Sequence, residues 1–345
     1  MEPQDRSKRV LAALVRAYIA SGEPVASTHL ANAAGLGVSS ATVRNILAQL
    51  EADGYVQQPH TSAGRIPTDR GYRFFVDLLL ESRRTGRAAT AVVEARLRRE
   101  SPGRLIDSVL PQVSHVLSQA ARTIGFAVGP PHQSAVFDRV EFVPIAGARV
   151  LVVIVARGGH VVQKVIDTGE PLTADDLRQA ANYLNVEFAG LPLHRSREAV
   201  LERLREERTL YDELAARAMR LATSTFADLP DTRTVFVDGT ASLLGDDSGL
   251  TLATLQTLLQ MIEEKQQLVQ LLNAYIDGPG LTVVIGAEHL DPSLRPFSLI
   301  ASPFNDGTSM GSVGVIGPTR MRYSRAIAAV DGAARAVSRV LSDPN

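Results

Sequence analysis

The sequence has no cysteine and no tryptophan, and only 5% of its 345 residues are aromatic. Without cysteine the chain cannot form disulfides, thiolate nucleophiles or thiolate metal sites. Its charge is balanced, with 36 basic against 37 acidic residues and a net charge of −1. A surface for nucleic acid would therefore have to be a local basic patch rather than a property of the whole chain.

The chain also lacks long apolar runs. Its first residues, MEPQDRSKR, are charged and contain no apolar core of the kind found in signal peptides. No apolar run is long enough to span a bilayer. We therefore expect a cytoplasmic protein without membrane contact, and a length of 345 residues predicts two or three domains.

Motifs for catalysis and metal binding are missing as well. The seven histidines are scattered, and none forms a short metal-ligand spacing with another histidine or a carboxylate cluster. The sequence contains no G-x-S-x-G nucleophile elbow and no Walker A loop. We expect no enzymatic activity, no metal and no cofactor.

One glycine-rich segment needs a separate interpretation. Gly311, Gly314 and Gly317 follow a predicted strand and precede a helix predicted over residues 319–341. A glycine turn at a helix N-terminus can bind an anion. The alternative is that the glycines allow strand and helix to pack closely.

The most informative segment spans residues 38–72. Apolar spacing predicts three helices over residues 6–20, 27–34 and 39–53, with a tight glycine turn at residues 35–37. Three helices with a turn between the second and third are typical of a helix-turn-helix.

The third helix is predicted to begin at a serine cap, Ser39, and to end at Gly54. Its apolar face carries Val43, Ile46, Leu47 and Leu50, and the opposite face is small and polar. Such a face could enter a DNA major groove. The alternative is an ordinary amphipathic helix with a solvated polar face.

A short hairpin is predicted next, with strands at residues 55–57 and 64–66 and a loop at residues 58–63. Polar and basic side chains on the loop suit phosphate oxygens or a minor groove, so the hairpin would be the wing of a winged helix-turn-helix. Arg70 and Arg73 on the following helix either add phosphate contacts or form a solvated face.

Ten residues of this segment are candidates for DNA contact or for positioning it. Arg44 and Asn45 are the best candidates for base contacts, since arginine pairs with guanine and asparagine with adenine. The set is Ser39, Ser40, Thr42, Arg44, Asn45, Gln49, His60, Thr61, Ser62 and Arg65.

The rest of the chain has the pattern of an α+β protein. Strand-like runs lie at residues 124–166 and again at residues 234–316, with helices at both flanks. Residues 173–229 are mostly helical in pattern. We interpret them as an inserted dimerising region, with ordinary amphipathic packing helices as the alternative.

Three strings of residues resemble one known family. They are GYVQQPHTSAGRIPTDRGYRFFVD, VVIGAEH and GSVGVIGPTRMRYSRAI, which occur in the same order in the HrcA family of bacterial heat-inducible transcription repressors. The resemblance covers essentially the whole chain. It implies a winged helix at residues 1–88, a GAF-like domain at residues 89–168 and 233–345, and a dimerising insert at residues 169–232.

The resemblance also implies a role. Members of the family repress chaperone operons by binding double-stranded DNA at an inverted-repeat operator as a homodimer, and the GroE chaperonin keeps the repressor active. The alternative function is a transcriptional regulator that senses a metabolite through its GAF-like domain.

Overall fold

The computed structural model describes residues 5–33, 39–61, 63–82, 95, 106–131, 135–157, 160–206, 213–226, 233–243, 250–263, 269, 272, 280–307 and 309–342. These residues form a mixed α/β structure with three antiparallel sheets of two, three and five strands. The predicted glycine turn at residues 35–37 and the candidate Ser62 lie outside the described residues.

The described helices and strands are as follows. The helices are α1 (Asp5–Ser21), α2 (Ser27–Ala33), α3 (Ser40–Ala52), α4 (Asp69–Glu81), α5 (Ile106–Ala121), α6 (Ala174–Phe188), α7 (Leu193–Glu206), α8 (Glu213–Phe226), α9 (Leu252–Glu263) and α10 (Tyr323–Ser342). The strands are β1 (Val56–Gln57), β2 (Ile66–Pro67), β3 (Ile124–Pro131), β4 (Phe137–Ala146), β5 (Arg149–Ala156), β6 (Val161–Asp167), β7 (Arg233–Asp238), β8 (Thr282–Ile285), β9 (Phe297–Asn305) and β10 (Met310–Pro318).

Helices α1 to α4 and the hairpin β1–β2 form the N-terminal part. Leu11 and Leu14 of α1, Leu47 of α3 and Phe75 of α4 meet in its buried core. The helical spacing of these residues explains why each helix buries one stripe and leaves the opposite face exposed. The three predicted helices and the predicted short hairpin are therefore present.

The five-stranded sheet has the order β7-β3-β10-β9-β8 and is antiparallel throughout. Side chains of successive residues alternate between its two faces. In β3, Ala127 belongs to the core shared with α5 and α10, whereas Phe126 and Val128 belong to the core shared with α9. The sheet is thus covered by helices on both faces.

The strands β4, β5 and β6 do not join this sheet. They form a separate antiparallel meander that shares its core with α6, α7 and α8. The whole unit, residues 135–226, lies in the chain between β3 and β7, which are hydrogen-bonded neighbours. The predicted boundary at residue 168 would divide this unit, because β4 to β6 pack with α6 to α8 rather than with the five-stranded sheet.

One further prediction needs correction. Gly311, Gly314 and Gly317 lie within β10, and the following helix begins only at Tyr323, so the glycines do not form a helix N-terminus. A Cβ at Gly314 would lie 2.4 Å from the ring of Phe126, which explains the need for glycine in packing.

Candidate nucleic-acid interface

The start of α3 is fixed by hydroxyl groups. Ser39 caps the helix by accepting a hydrogen bond from the backbone N–H of Thr42 at 3.2 Å, as predicted, and its hydroxyl lies 3.0 Å from that of Thr42. The hydroxyl of Ser40 lies 3.4 Å from that of Ser27 at the start of α2. These three candidates hold the helix in place within its own domain, since their hydroxyls already have protein neighbours.

The exposed edge of α3 carries the two strongest candidates. Arg44 and Asn45 are exposed, and their side chains form no hydrogen bond or ion pair with any described residue. The exposed Ala41 and Ala48 flank them and leave the backbone approachable. The predicted apolar face packs inward, with Val43, Leu47 and Leu50 buried. This edge can therefore donate and accept hydrogen bonds outward without breaking a contact of Arg44 or Asn45 with any described residue.

Gln49 differs from these two residues. Its side-chain amide donates to Asp53 at 3.1 Å, one turn further along α3. Binding a base would require Gln49 to give up this bond. The predicted base contacts on α3 therefore differ. Gln49 already has a hydrogen-bond partner, whereas Arg44 and Asn45 have none among the described residues.

The loop of the hairpin is braced by a residue that the sequence did not single out. Gln58 donates from its amide nitrogen to the backbone carbonyls of Thr61 at 2.8 Å and Ala63 at 2.9 Å. The N–H of Ala63 also donates to the carbonyl of His60 at 2.9 Å. His60 and Thr61 are exposed at the tip of the loop. Gln58 thus gives the loop one shape and leaves their side chains facing outward.

Arg65 connects the hairpin to two other elements. Its guanidinium pairs with Glu51 of α3, with 2.8 Å between Nη2 and Oε2. Its backbone exchanges two 2.9 Å hydrogen bonds with Val25, which precedes α2. Arg65 therefore holds the hairpin against α3, a positioning role that the sequence pattern does not distinguish from a phosphate contact.

Arg70 and Arg73 of α4 also have protein partners. Arg70 donates to the backbone carbonyl of Asp53 at 2.8 Å and lies over the ring of Tyr55, 4.6 Å from its centroid. Arg73 is paired with Glu288 of the α+β domain. Neither side chain forms a purely solvated face, and Arg73 is bonded to Val283 and Glu288 of the α+β domain.

Among the described residues we find neither a cluster of metal ligands nor an open ligand cavity between the five-stranded sheet and α9. These residues contain no group of three or more histidine or carboxylate side chains that could hold a metal ion. The face of the five-stranded sheet toward α9 is packed with apolar side chains, including Phe126, Leu258 and Phe297. A metabolite sensor would instead require a cavity there, with a few polar groups placed to orient the ligand.

Three cavities occur elsewhere among the described residues. One of about 1020 Å³ lies between α1, α2 and Leu78 of α4, and one of about 450 Å³ lies beside β6 and α8. A third, of about 470 Å³, lies at the border between the N-terminal part and the α+β domain, next to Asp69 and Arg320.

No helix within the described ranges has the length and apolar character to cross a membrane.

Comparison with known proteins identifies the family. A family model described as the HrcA protein C-terminal domain matches residues 107–327. The heat-inducible transcription repressor HrcA of Geobacter sulfurreducens is 38% identical over 338 residues, which cover 98% of each chain. HrcA of Laribacter hongkongensis is 37% identical over 342 residues, which cover 99% of this chain and 96% of the relative.

One solved structure is similar to this chain over nearly the whole length of both. The crystal structure of a hypothetical protein at 2.2 Å resolution aligns over 99% of both chains, with a TM-score of 0.67 and 25% identity. The two sequence relatives are repressors of transcription, and they match over nearly their whole length. The chain belongs to the HrcA family of heat-inducible transcription repressors.

Proposed function

We propose that this chain is a sequence-specific DNA-binding repressor of chaperone operons. Helices α1 to α3 with the hairpin β1–β2 would be a winged helix-turn-helix, and α3 would enter the major groove. The observation that carries the proposal is the exposed edge of α3, where Arg44 and Asn45 have no partner among the described residues. Uncommitted side chains of these two types suit guanine and adenine edges.

The hairpin would act as the wing beside this helix. His60 and Thr61 at the loop tip would approach a phosphate or the minor groove, together with the neighbouring Ser62. Ser39, Ser40, Thr42 and Arg65 would position the helix and wing rather than recognise bases. Repression would follow from occupation of the promoter, which excludes the polymerase sterically.

A homodimer would allow recognition of an inverted repeat, because a two-fold axis in the protein matches a two-fold axis in the operator. We assign dimerisation to the unit at residues 135–226. The rest of the chain would consist of a winged helix at residues 1–88 and a GAF-like domain. The support is the outer face of the three-stranded sheet. Its inner face, with Val140, Val152 and Ile154, is buried against α6 and its neighbours.

One row on the outer face of this sheet is apolar and partly exposed. Val143 of β4, Leu151 of β5 and Val165 of β6 lie side by side in register across all three strands. Val143 is 45% exposed and Val165 is 53% exposed. A contiguous apolar row on an exposed sheet is typical of a surface that is buried in an assembly. A second copy of the chain would cover it.

Selection from a random DNA pool tests the function directly. The bound sequences should contain an inverted repeat, and Asn45→Ala should weaken binding to the selected operator far more than binding to random DNA. Selection of no common sequence, or equal operator binding by wild type and by Arg44→Ala and Asn45→Ala, would contradict the proposal.

We further propose that the GroE chaperonin keeps the repressor in its active form, so that heating relieves repression when the chaperonin is occupied by other proteins. Operator binding would be followed through cycles of heating and cooling with purified protein, with and without chaperonin. Recovery should be greater with chaperonin, and equal recovery in both samples would reject this part of the proposal.

A further inference from the structure

Helix α4 is fastened to the α+β domain by two charged side chains. Arg73 donates from Nε to Oε1 of Glu288 at 2.7 Å and from Nη2 to the carbonyl of Val283 at 2.6 Å, and Nη2 also contacts the second carboxylate oxygen. Asp69, one turn earlier, accepts a hydrogen bond from the N–H of Ala287 at 2.8 Å. We name these contacts, between Asp69 and Arg73 on one side and Val283 to Glu288 on the other, the α4 junction.

The receiving side of the α4 junction is shaped for this contact. The carboxylate of Glu288 also accepts from the N–H of Ile285 at 2.9 Å, which fixes its orientation toward Arg73. Gly286 has a φ of +53°, and a Cβ at this position would lie 2.2 Å from Oδ2 of Asp69. Only glycine permits this backbone to approach the carboxylate so closely.

Electrostatics and apolar packing reinforce the same contact. The hydrogen bond that Arg73 donates to the carboxylate of Glu288 raises the pKa of Arg73, against the opposing effect of burial. Beside the ion pair, the ring of Tyr72 lies 5.7 Å from that of Tyr323, and both tyrosines are buried. The Tyr323 hydroxyl lies 2.7 Å from that of Ser298. The α4 junction therefore combines directed polar bonds with a buried aromatic contact.

The start of α4 is hydrogen-bonded to the residues that follow α3. Thr68 donates to the carbonyl of Gly54 at 2.7 Å, and Arg70 donates to the carbonyl of Asp53 at 2.8 Å. Gly71 packs so closely on the carbonyl of Tyr55 that a Cβ would lie 2.2 Å from its oxygen. The exposed edge of α3 is thus connected to the α+β domain through α4, with no free hinge at these contacts.

We propose that Asp69 and Arg73 are positioning residues that set the distance and orientation of α3 relative to the α+β domain, and thereby the half-site spacing that a dimer accepts. The inference rests on the proposed function. Two DNA-reading helices on rigid supports match only operators whose half-sites have the right separation and face. Loosely attached helices would tolerate several separations.

The test compares operators that differ only in spacer length. The selected inverted repeat is prepared with its own spacer, with a spacer about 5 base pairs longer, which places the half-sites on opposite faces of the duplex, and as a single half-site. Binding is measured for wild type, Arg73→Gln, Glu288→Gln and Arg73→Lys. Arg178→Gln is the matched control, because it removes an exposed ion pair with Asp175 on α6.

We expect wild type and Arg178→Gln to prefer the native spacer strongly. In Arg73→Gln and Glu288→Gln the preference should fall by roughly tenfold, since one partner of a partly buried pair is lost. Arg73→Lys should retain part of the preference. Binding to the single half-site should stay within about twofold, because no base contact is changed. If Arg73 only stabilised the fold, Arg73→Gln would lower the affinity for the single half-site as much as the preference for the native spacer.

Unchanged spacing preference in both Arg73→Gln and Glu288→Gln would overturn the inference while leaving the proposed function intact. If wild type selects no inverted repeat, the proposed function fails and the inference falls with it. Should the charge variants not fold, Asp69→Asn is the alternative, because it removes the charge of the second contact and keeps the shape of the side chain. The same loss of spacing preference is expected, and wild-type preference in Asp69→Asn would overturn the inference.

Discussion

Arg65 and Glu51 join the hairpin to α3 through an ion pair whose Nη2 and Oε2 atoms lie 2.8 Å apart. If this pair positions the wing, Arg65→Gln and Glu51→Gln should both weaken operator binding. Each should lower the free energy of unfolding by about 0.5–1 kcal/mol, because the pair is only partly exposed. Binding isotherms at several salt concentrations measure the effect on DNA, and urea titration measures stability.

The sign of the Glu51→Gln effect separates two interpretations of Arg65. Removing an acidic side chain near a DNA phosphate should strengthen binding if Arg65 contacts the phosphate independently. Arg65→Gln would then also reduce the salt slope by about one unit. Stronger binding by Glu51→Gln would therefore contradict the positioning role.

Along α3, Arg44→Ala and Asn45→Ala should each reduce discrimination between operator and random DNA by about 1–3 kcal/mol. Gln49→Ala should reduce it less, because its amide is already bonded to Asp53. Competition binding with operator and random duplexes measures the difference. A larger loss for Gln49→Ala than for Asn45→Ala would mean that α3 presents a different edge.

Local patterns in the sequence predicted α3 well, and for identifiable reasons. The Ser39 cap, the apolar face and the end of the helix at Asp53 and Gly54 depend on neighbouring residues only. The Arg73 to Glu288 pair joins residues 215 positions apart, and neither residue lies in a pattern that indicates its partner. The role of Arg65 was ambiguous for the same reason.

The sequence does not indicate that β4 to β6 share a core with α6 to α8, because strands of different sheets look alike in sequence. The apolar run at residues 150–156 predicts a strand, and β5 confirms it. It does not determine which sheet the strand joins. The assignment of β4 to β6 depends on the packing of Ile154 and Ala156 against the inserted helices, which only the three-dimensional structure displays.

Val165→Asp should convert the proposed dimer into a monomer, because it places a charge within the apolar row on the outer face of the three-stranded sheet. Val186→Asp is the control, since Val186 of α6 is 82% exposed and lies outside that row. Analytical ultracentrifugation over a concentration series gives the oligomeric state. A monomeric wild type, or a Val165→Asp variant that remains dimeric, would rule out this face.

Gly64→Ala should destabilise the hairpin. A Cβ at Gly64 would lie 2.5 Å from the backbone carbonyl of Val25, so the two backbone bonds between Val25 and Arg65 would have to separate. We expect a loss of about 1–3 kcal/mol in the free energy of unfolding. Gly129→Ala is the control, because its Cβ would meet the nearest atom at 3.5 Å, an ordinary contact. Equal stability of the two variants would contradict this packing.

The burial of His289 should make the stability of the protein depend on pH. Burial lowers its pKa below the ordinary value of 6.5, although the backbone of Phe297 and the carboxylates of Glu288, Asp291 and Asp69 oppose the shift. As the pH falls below 6.5, the unfolded chain takes up the proton before the folded chain does. The free energy of unfolding should therefore decrease with falling pH until the folded pKa is reached, by at most about 1.4 kcal/mol per pH unit.

Thermal unfolding at pH 7.5 and pH 5.5 measures this loss. His289→Gln should lose less stability between the two values than wild type does, because its side chain cannot take up a proton in either state. His60→Gln should behave like wild type, since His60 is exposed at the loop tip. If His289→Gln and wild type lose the same amount, the burial of His289 does not control the acid limit of stability.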